Sequence, residues 1–184
     1  MRVSVQKTIV MVGMMGAGKT AVGRAVAARL YVPFLDSDAE IVDAAHMSIP
    51  EIFERDGEAF FRAREYEVIA RLLETERAVL STGGGAFLTE QNRSLITEKG
   101  VSVWLDADLD LLWSRVKGKN TRPLLRTDDP RGTLEKIHAD RVPFYAQADI
   151  AVKADPDYTI EEMAERVIDG LLARPDVLET RDAD

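Results

Sequence analysis

The stretch Gly13-Met14-Met15-Gly16-Ala17-Gly18-Lys19-Thr20 matches the pattern G-x-x-x-x-G-K-[ST], and its context decides the fold. The run before it, Thr8–Val12, is short, apolar and β-branched, as in a buried parallel strand. The run after it, Ala21–Leu30, has helix-forming composition. In such a loop, backbone N–H groups face phosphates, Lys19 reaches the β- and γ-phosphates, and the Thr20 hydroxyl binds Mg²⁺. An accidental glycine-rich turn is the alternative, and both flanks argue against it. The segment therefore predicts a nucleoside triphosphate site.

The composition limits the other possibilities. A chain of 184 residues with 46% hydrophobic residues suits one domain with a filled core. The net charge of −8 argues against nucleic acid or an anionic membrane as a partner. Cysteine is absent, so disulfides, thiolate catalysis and cysteine-based zinc sites are excluded. The only two histidines, His46 and His138, lack the spacing of metal ligands. Without an apolar run near the roughly 20 residues of a membrane span, and without a signal-peptide pattern, we expect a cytoplasmic protein.

Strand-like and helical runs alternate along the rest of the chain. The further strand-like runs are Phe34–Asp36, Ala78–Ser81, Val101–Leu105 and Asp149–Val152. The helical runs are Ser37–Ala45, Glu51–Thr75, Glu90–Lys99, Asp108–Lys117, Thr133–Tyr145 and Ile160–Ala173. This alternation is typical of right-handed βαβ crossovers. It predicts a five-stranded parallel sheet with helices on both faces.

No repeat or linker divides the sequence, so we predict a single domain over residues 1–173. Residues 118–130 break the alternation with a polar loop that holds glycine, prolines and several cations. A polar loop of this length within a domain is usually functional or disordered, and we interpret about 117–130 as a lid. Residues 174–184 alternate charges without a core pattern, and we expect them to fray.

Polar residues that directly follow strands are the candidate ligands, because open parallel sheets bind ligands at the carboxyl ends of their strands. The second strand ends in Asp36-Ser37-Asp38. One carboxylate could hold Mg²⁺ through water, and the other could accept the proton of an attacking hydroxyl. Capping of the next helix by Asp36 or Ser37 is the alternative, although it leaves one carboxylate without a task.

The third strand ends in Thr82-Gly83-Gly84-Gly85. Three consecutive glycines are costly in backbone entropy. They suit a place where a ligand lies directly against the main chain, with N–H groups free to contact it. A tight turn without a ligand is the alternative.

Several arginines are candidate anion ligands. Arg62 and Glu65 are three residues apart and therefore share a helix face. Arg62 could bind a substrate carboxylate with two hydrogen bonds, although considered alone it could equally be solvated. Arg122 and Arg126 lie in the polar loop and Arg141 on the next helix. Cations there would stabilise the charge that spreads over a transferring phosphoryl group.

Together and in this order, the motifs make the sequence similar to the shikimate kinase family, over Thr8 to about Ala173. The family pattern is a phosphate loop, D-S-D, F-F-R-x-x-E, G-G-G, R-P-L-L and an arginine before a tyrosine. A generic small-molecule kinase would share only the first element. The pattern appears here as Gly13–Thr20, Asp36–Asp38, Phe60–Glu65, Gly83–Gly85, Arg122–Leu125, and Arg141 with Tyr145.

The resemblance implies an α/β, three-layer P-loop NTPase fold of the nucleoside monophosphate kinase type, with a five-stranded parallel sheet, helices on both faces and a mobile lid. It also implies transfer of the ATP γ-phosphoryl group to the 3-hydroxyl of shikimate, within aromatic amino-acid biosynthesis. The implied ligands are ATP, Mg²⁺ and shikimate. We expect a monomer that binds neither nucleic acid nor membrane.

The resemblance further implies residue roles. Lys19 would hold the phosphates, and Asp38 would act as the base. Thr20 would bind Mg²⁺, and Asp36 would orient the ion through water. Arg122 would reach ATP from the lid. The implied nucleotide contacts are Gly16, Ala17, Gly18, Lys19, Thr20, Ala21, Arg115, Arg122 and Asp157, with Arg115 stacked on adenine. The implied shikimate contacts are Asp38, Arg62, Gly83, Gly84, Gly85 and Arg141, with both arginines on the carboxylate and an N–H donated by Gly84.

Two departures from the family pattern concern the nucleotide. Ala21 follows Thr20 where many members have a second hydroxyl residue, so one polar contact to the nucleotide is in doubt. The stretch Lys153–Tyr158 matches the family's adenine loop only loosely, which leaves the contact of Asp157 with the base open.

Three other functions are compared with this one. A different small-molecule kinase, such as a gluconate kinase, is the nearest, because gluconate is also a carboxylate. A GTP-binding switch would need an N-K-x-D motif, which the sequence lacks. A nucleotide-binding module without turnover would not need Lys19, Thr20, Asp36 and Asp38 intact.

Overall fold

The computed structural model describes residues 2–118 and 123–182. Within these ranges the strands are β1 (Arg2–Val5), β2 (Thr8–Val12), β3 (Phe34–Asp36), β4 (Val79–Ser81), β5 (Gly100–Asp106), β6 (Ile150–Lys153) and β7 (Leu178–Arg181). The α-helices are α1 (Lys19–Leu30), α2 (Ser37–Ala45), α3 (Ile49–Thr75), α4 (Glu90–Lys99), α5 (Leu109–Val116), α6 (Pro130–Tyr145) and α7 (Ile160–Leu172). Two short 3₁₀ helices cover Ala86–Leu88 and Pro123–Leu125.

Five strands form one parallel sheet in the order β3-β4-β2-β5-β6. The predicted five-stranded parallel sheet is therefore confirmed. Ser81 of β4 is in register with Met11 of β2 on one side and with Asp36 of β3 on the other. The carboxyl ends of these three strands thus lie side by side, and the loops that follow them meet at one edge of the sheet.

The core surrounds the central strand β2, all five residues of which are buried. Strands buried on both faces read as continuous apolar runs, which explains why Thr8–Val12 is recognisable in the sequence. Helices flank the sheet: α1 packs against α7, and α3 packs against α4. The apolar residues that these helices turn inward close the core over the sheet.

The predicted strand bounds agree with the structure to within one residue, and the helix bounds differ more. Helix α3 begins at Ile49 and is interrupted at Gly57, whose φ of 85° is not helical. Helix α6 begins at Pro130, three residues before the predicted start. The reason is a cap, because the Asp129 carboxylate accepts a hydrogen bond from the Gly132 N–H at 3.1 Å.

The prediction that residues 174–184 fray is wrong for most of that segment. Strand β7 pairs antiparallel with β1, from Arg2 opposite Arg181 to Val5 opposite Leu178. Val177 and Leu178 are buried, so the segment does contribute apolar side chains to the core. Of its charged residues, Glu179 and Arg181 lie two apart on β7, and Arg181 is exposed.

In the two described ranges, no helix is both long and apolar enough to cross a bilayer.

Candidate active site

The loop between β2 and α1 depends on three glycines with positive φ: Gly13 at 145°, Gly16 at 82° and Gly18 at 96°. Side chains with a Cβ rarely adopt these angles, so the spacing of the glycines is a backbone requirement. Gly18 is the N-cap of α1, and no side chain caps this helix start. The first N–H groups of α1 are therefore suited to an anion, in agreement with the phosphate-binding pattern.

Two cations hold this loop. The Lys19 ammonium donates to the carbonyl of Gly13 at 2.6 Å, and the Arg115 guanidinium donates to the carbonyl of Gly16 at 3.0 Å. Thus Arg115, expected to stack on adenine, lies against the phosphate loop, and its contact with a base stays a prediction. The Ala17 N–H donates to the carbonyl of Met14 at 3.1 Å, so this amide is used inside the loop.

Charged side chains from other segments lie directly against the glycines of the turn after β4. A Cβ added to Gly83 would lie 2.8 Å from Oδ1 of Asp38, and one added to Gly84 would lie 2.7 Å from a guanidinium nitrogen of Arg141. Both distances are shorter than real Cβ contacts. Glycine at these positions therefore makes room for two of the predicted substrate ligands.

Gly85 seats the third ligand in the same way. A Cβ on Gly85 would collide with the guanidinium of Arg62, one nitrogen of which would be 2.9 Å away. Gly85 has φ −93° and ψ −9°, a conformation that any residue adopts, so space and not backbone freedom requires glycine here. We refer to Gly83, Gly84 and Gly85 as the glycine seat.

One expectation about the glycine seat is corrected. The N–H groups were expected to be free for a ligand, but the Gly83 N–H donates to the Ser37 hydroxyl at 3.3 Å. Ser37 is fully buried, and its hydroxyl finds a hydrogen-bond partner in the glycine seat. Ser37 was predicted only as a possible helix cap, because its position between two acids does not indicate burial.

Asp36 and Asp38 differ in their surroundings. Asp36 caps α2, since its Oδ1 accepts from the Ala39 N–H at 3.0 Å, and its role toward Mg²⁺ stays a prediction. Asp38 is half-buried and faces the glycine seat. Burial raises the pKa of Asp38, and the Asp36 carboxylate raises it further, while Lys19 and Arg62 act in the opposite direction. Asp38 is therefore electrostatically coupled both to Lys19 of the phosphate loop and to Arg62.

Arg62 is held in place by an ion pair with a buried acid. Its guanidinium pairs with Glu65 at 2.9 Å, and the Glu65 side chain is 1% exposed. Burial raises the pKa of Glu65, and the Arg62 charge counteracts this shift. Asn92, also buried, donates to Glu65 at 3.4 Å and to the Ala86 carbonyl at 2.8 Å. The predicted sharing of one helix face by Arg62 and Glu65 is confirmed, whereas no sequence pattern indicated Asn92.

The remaining predicted residues lie at the edge of this site or beyond it. Thr20 and Ala21 are exposed on the first turn of α1, and Asp157 is exposed in the turn after β6. Arg122 lies outside the described residues, together with part of the predicted lid. Arg126 is exposed just after the 3₁₀ helix Pro123–Leu125.

Comparison with known proteins identifies the family. The model of the family described as shikimate kinase matches residues 15–172, which include the helix start of the phosphate loop, the acid pair, the glycine seat and Arg141. This chain belongs to the shikimate kinase family. A shikimate kinase from Ruegeria pomeroyi is 68% identical over 176 residues, covering 96% of this chain and 90% of that protein.

Solved structures of the family agree with this fold. A shikimate kinase from Acinetobacter baumannii, solved in complex with shikimate, is 36% identical with a TM-score of 0.82, and the match covers 91% of this chain and 93% of that one. A gluconokinase from Sinorhizobium meliloti has a TM-score of 0.62 at 17% identity, covering 92% and 94% of the two chains. At that identity the likeness concerns the fold alone, so shared architecture does not distinguish the two substrates.

Proposed function

We infer that this chain is a shikimate kinase, which transfers the γ-phosphoryl group of ATP to the 3-hydroxyl of shikimate and yields 3-phosphoshikimate and ADP. The main support for this function is that the chain belongs to the shikimate kinase family. One structural observation supports the assignment of substrate binding to particular residues. Asp38, Arg62 and Arg141 come from three different helices and converge on the glycine seat.

For the substrate, we propose that Arg62 and Arg141 bind the shikimate carboxylate from two sides of the seat. Planar guanidinium groups match a carboxylate with paired hydrogen bonds. Glu65 fixes Arg62 at 2.9 Å, so little side-chain entropy is lost when the carboxylate binds. All of these groups belong to one chain, which supports a monomer as the acting unit.

For the nucleotide, we propose that the N–H groups at the start of α1 and the Lys19 ammonium bind the ATP phosphates. Lys19 can exchange its bond to the Gly13 carbonyl for the phosphate oxygens, which carry a full charge. Arg115 holds the loop through Gly16 and would keep its shape when ATP leaves.

Mg²⁺ fits the donor chemistry at the mouth of the loop. Mg²⁺ usually keeps several waters and binds one or two protein oxygens together with substrate phosphates. Thr20 would offer such an oxygen, and Asp36 would hold the ion through one of its waters. Within residues 2–118 and 123–182 no group of three or more acidic or histidine ligands competes with them. When bound, Mg²⁺ neutralises charge on the β- and γ-phosphates.

We propose that Asp38 accepts the proton of the 3-hydroxyl as the phosphoryl group arrives. Burial and the Asp36 carboxylate raise the pKa of Asp38, which makes its ionised form a stronger base than an exposed aspartate. Phosphoryl transfer depends mainly on positioning and electrostatics, so the proton moves late. Asp38 then returns the proton to solvent after the product leaves.

The substrate is tested by measuring ADP release in a coupled assay with shikimate, gluconate and nucleoside monophosphates. We expect turnover with shikimate and at least about 100-fold lower kcat/KM with the others, because a site built around fixed polar partners rejects poor matches strongly. Turnover with gluconate equal to that with shikimate would overturn the assignment of the acceptor.

The carboxylate site is tested by Arg62→Lys, which keeps the charge and loses the planar fork. We expect the KM for shikimate to rise more than tenfold and the KM for ATP to change less than twofold. Arg64→Lys is the matched control on the same helix, because Arg64 pairs with the exposed Glu67. An unchanged shikimate KM in Arg62→Lys would remove Arg62 from the site.

A further inference from the structure

Tyr145 lies under the glycine seat and is absent from the site described so far. It is the last residue of α6 and is 1% exposed. Its hydroxyl donates to the carbonyl of Gly84 at 2.9 Å, and its ring lies 6.2 Å from that of Trp104, centroid to centroid. The phenol therefore ties the end of α6 to the middle residue of the seat.

The same hydroxyl is also electrostatically coupled to Arg141. Arg141 precedes Tyr145 by four residues, which places both side chains on one face of α6. The positive charge of the Arg141 guanidinium acts on the phenol and opposes the rise that burial causes in the pKa of Tyr145. The guanidinium also lies over Gly84, at 2.7 Å from the place where a Cβ would stand. A phenol oxygen can accept one hydrogen bond while donating another, so Tyr145 can bridge the guanidinium and the Gly84 carbonyl.

We propose that Tyr145 is a positioning residue for shikimate, which holds the Arg141 guanidinium and the Gly84 peptide in the geometry that the substrate carboxylate requires. The inference rests on the proposed function in one respect, namely that Arg141 binds the carboxylate. It assigns to Tyr145 no contact with the substrate and no part in proton transfer.

The chemistry of the phenol suits this task. Burial raises the pKa of Tyr145, and the Arg141 charge counteracts this shift, so the hydroxyl stays protonated and able to donate at neutral pH. A buried hydroxyl needs a partner in any case. The alternative is that the bond to Gly84 only provides the buried hydroxyl with a hydrogen-bond partner and does not affect substrate binding. This alternative predicts different kinetics.

Tyr145→Phe removes the oxygen and keeps the ring. We expect the KM for shikimate to rise about tenfold, while kcat and the KM for ATP change less than twofold, because a carboxylate contact that is equal in ground and transition states affects KM alone. Tyr31→Phe, which removes the same atom from an exposed tyrosine, is the control and should leave all three constants unchanged. A purely structural hydroxyl would lower the melting temperature without this split.

Arg141→Lys separates failure of the inference from failure of the proposed function. If Arg141→Lys leaves the shikimate KM unchanged, the carboxylate site itself is wrong. If Arg141→Lys raises that KM and Tyr145→Phe does not, Tyr145 has no positioning role. In the double variant we expect a KM no more than about twofold above that of Arg141→Lys alone, since the two changes remove the same interaction. Full multiplication of the two effects would overturn the inference.

Gly84→Ala reaches the same geometry without touching the phenol. Its methyl group would displace the Arg141 guanidinium by direct contact. We expect the same selective rise of the shikimate KM, at least tenfold. An unchanged KM in Gly84→Ala would contradict the premise that the position of Arg141 over Gly84 matters for the substrate, and it would overturn the inference even if Tyr145→Phe does not fold.

Discussion

Gly85→Ala tests the glycine seat with a single methyl group. Gly85 has φ −93° and ψ −9°, so alanine fits the backbone without strain. The methyl would lie 2.9 Å from one guanidinium nitrogen of Arg62 and closer still to the other, whereas ordinary contact begins near 3.4 Å, so the guanidinium must retreat by more than about 0.5 Å. The perturbation therefore acts on Arg62 and leaves the fold intact.

The expected magnitude follows from the hydrogen bond that is lost. A hydrogen bond to a charged group contributes about 1.5–3 kcal/mol. At about 1.4 kcal/mol per factor of ten, the KM for shikimate should rise about 10- to 150-fold. The KM for ATP should stay within twofold, and the unfolding free energy should fall by less than about 1 kcal/mol, because fewer unfolded conformations offset the displaced ion pair.

Steady-state kinetics with both substrates and denaturant unfolding measure these quantities. Gly170→Ala is the control, since it adds a methyl to α7 and meets only Ile150 at 3.2 Å. The double variant Gly85→Ala with Arg62→Ala should resemble Arg62→Ala alone, because both changes act on one contact. A normal shikimate KM in Gly85→Ala would refute the reasoning, as would an equal loss of ATP binding.

Three further predictions concern the phosphoryl-transfer groups. Lys19→Ala should lower kcat more than tenfold in the coupled assay with the circular dichroism spectrum unchanged, since a lost transition-state contact costs more than about 1.4 kcal/mol; retention of a tenth of kcat would contradict it. Asp38→Asn should lower kcat about 10²–10⁴-fold. In the wild type, kcat should fall as the pH drops through the Asp38 pKa, which lies above its usual 3.8 because burial favours the protonated form, and this acidic limb should be missing from the residual rate of the variant. Asp36→Asn should raise the Mg²⁺ concentration for half-maximal activity, and a rise with Asp38→Asn alone would mean that the two roles are exchanged.

The parts of the fold that rest on local patterns were predictable. The strand Thr8–Val12, the phosphate loop and the order of helices follow from apolar runs, glycine spacing and alternation along the chain. That Arg62 and Glu65 share one helix face followed from helical spacing alone, whereas their ion pair was not predicted. Each of these depends on residues that are neighbours in the sequence.

The interior of the site depends on contacts between distant segments, and these were not predictable. Three glycines in a row indicated a close approach, but not that Asp38, Arg62 and Arg141 make it. The burial of Ser37 and Asn92 follows from packing against turns far away in the sequence. By contrast, the early start of α6 was readable in principle, because Asp129 followed by proline is a helix-start signal.

The pairing of β1 with β7 bears on how the chain folds during synthesis. Because β7 follows all five strands of the parallel sheet along the chain, β1 lacks its partner strand while those five strands can already assemble during synthesis. The entropy of closing so long a loop is modest, since each doubling of loop length adds only about 0.6 kcal/mol. The burial of Val177 and Leu178 can thus complete the domain as a final step, which joins both ends of the described chain.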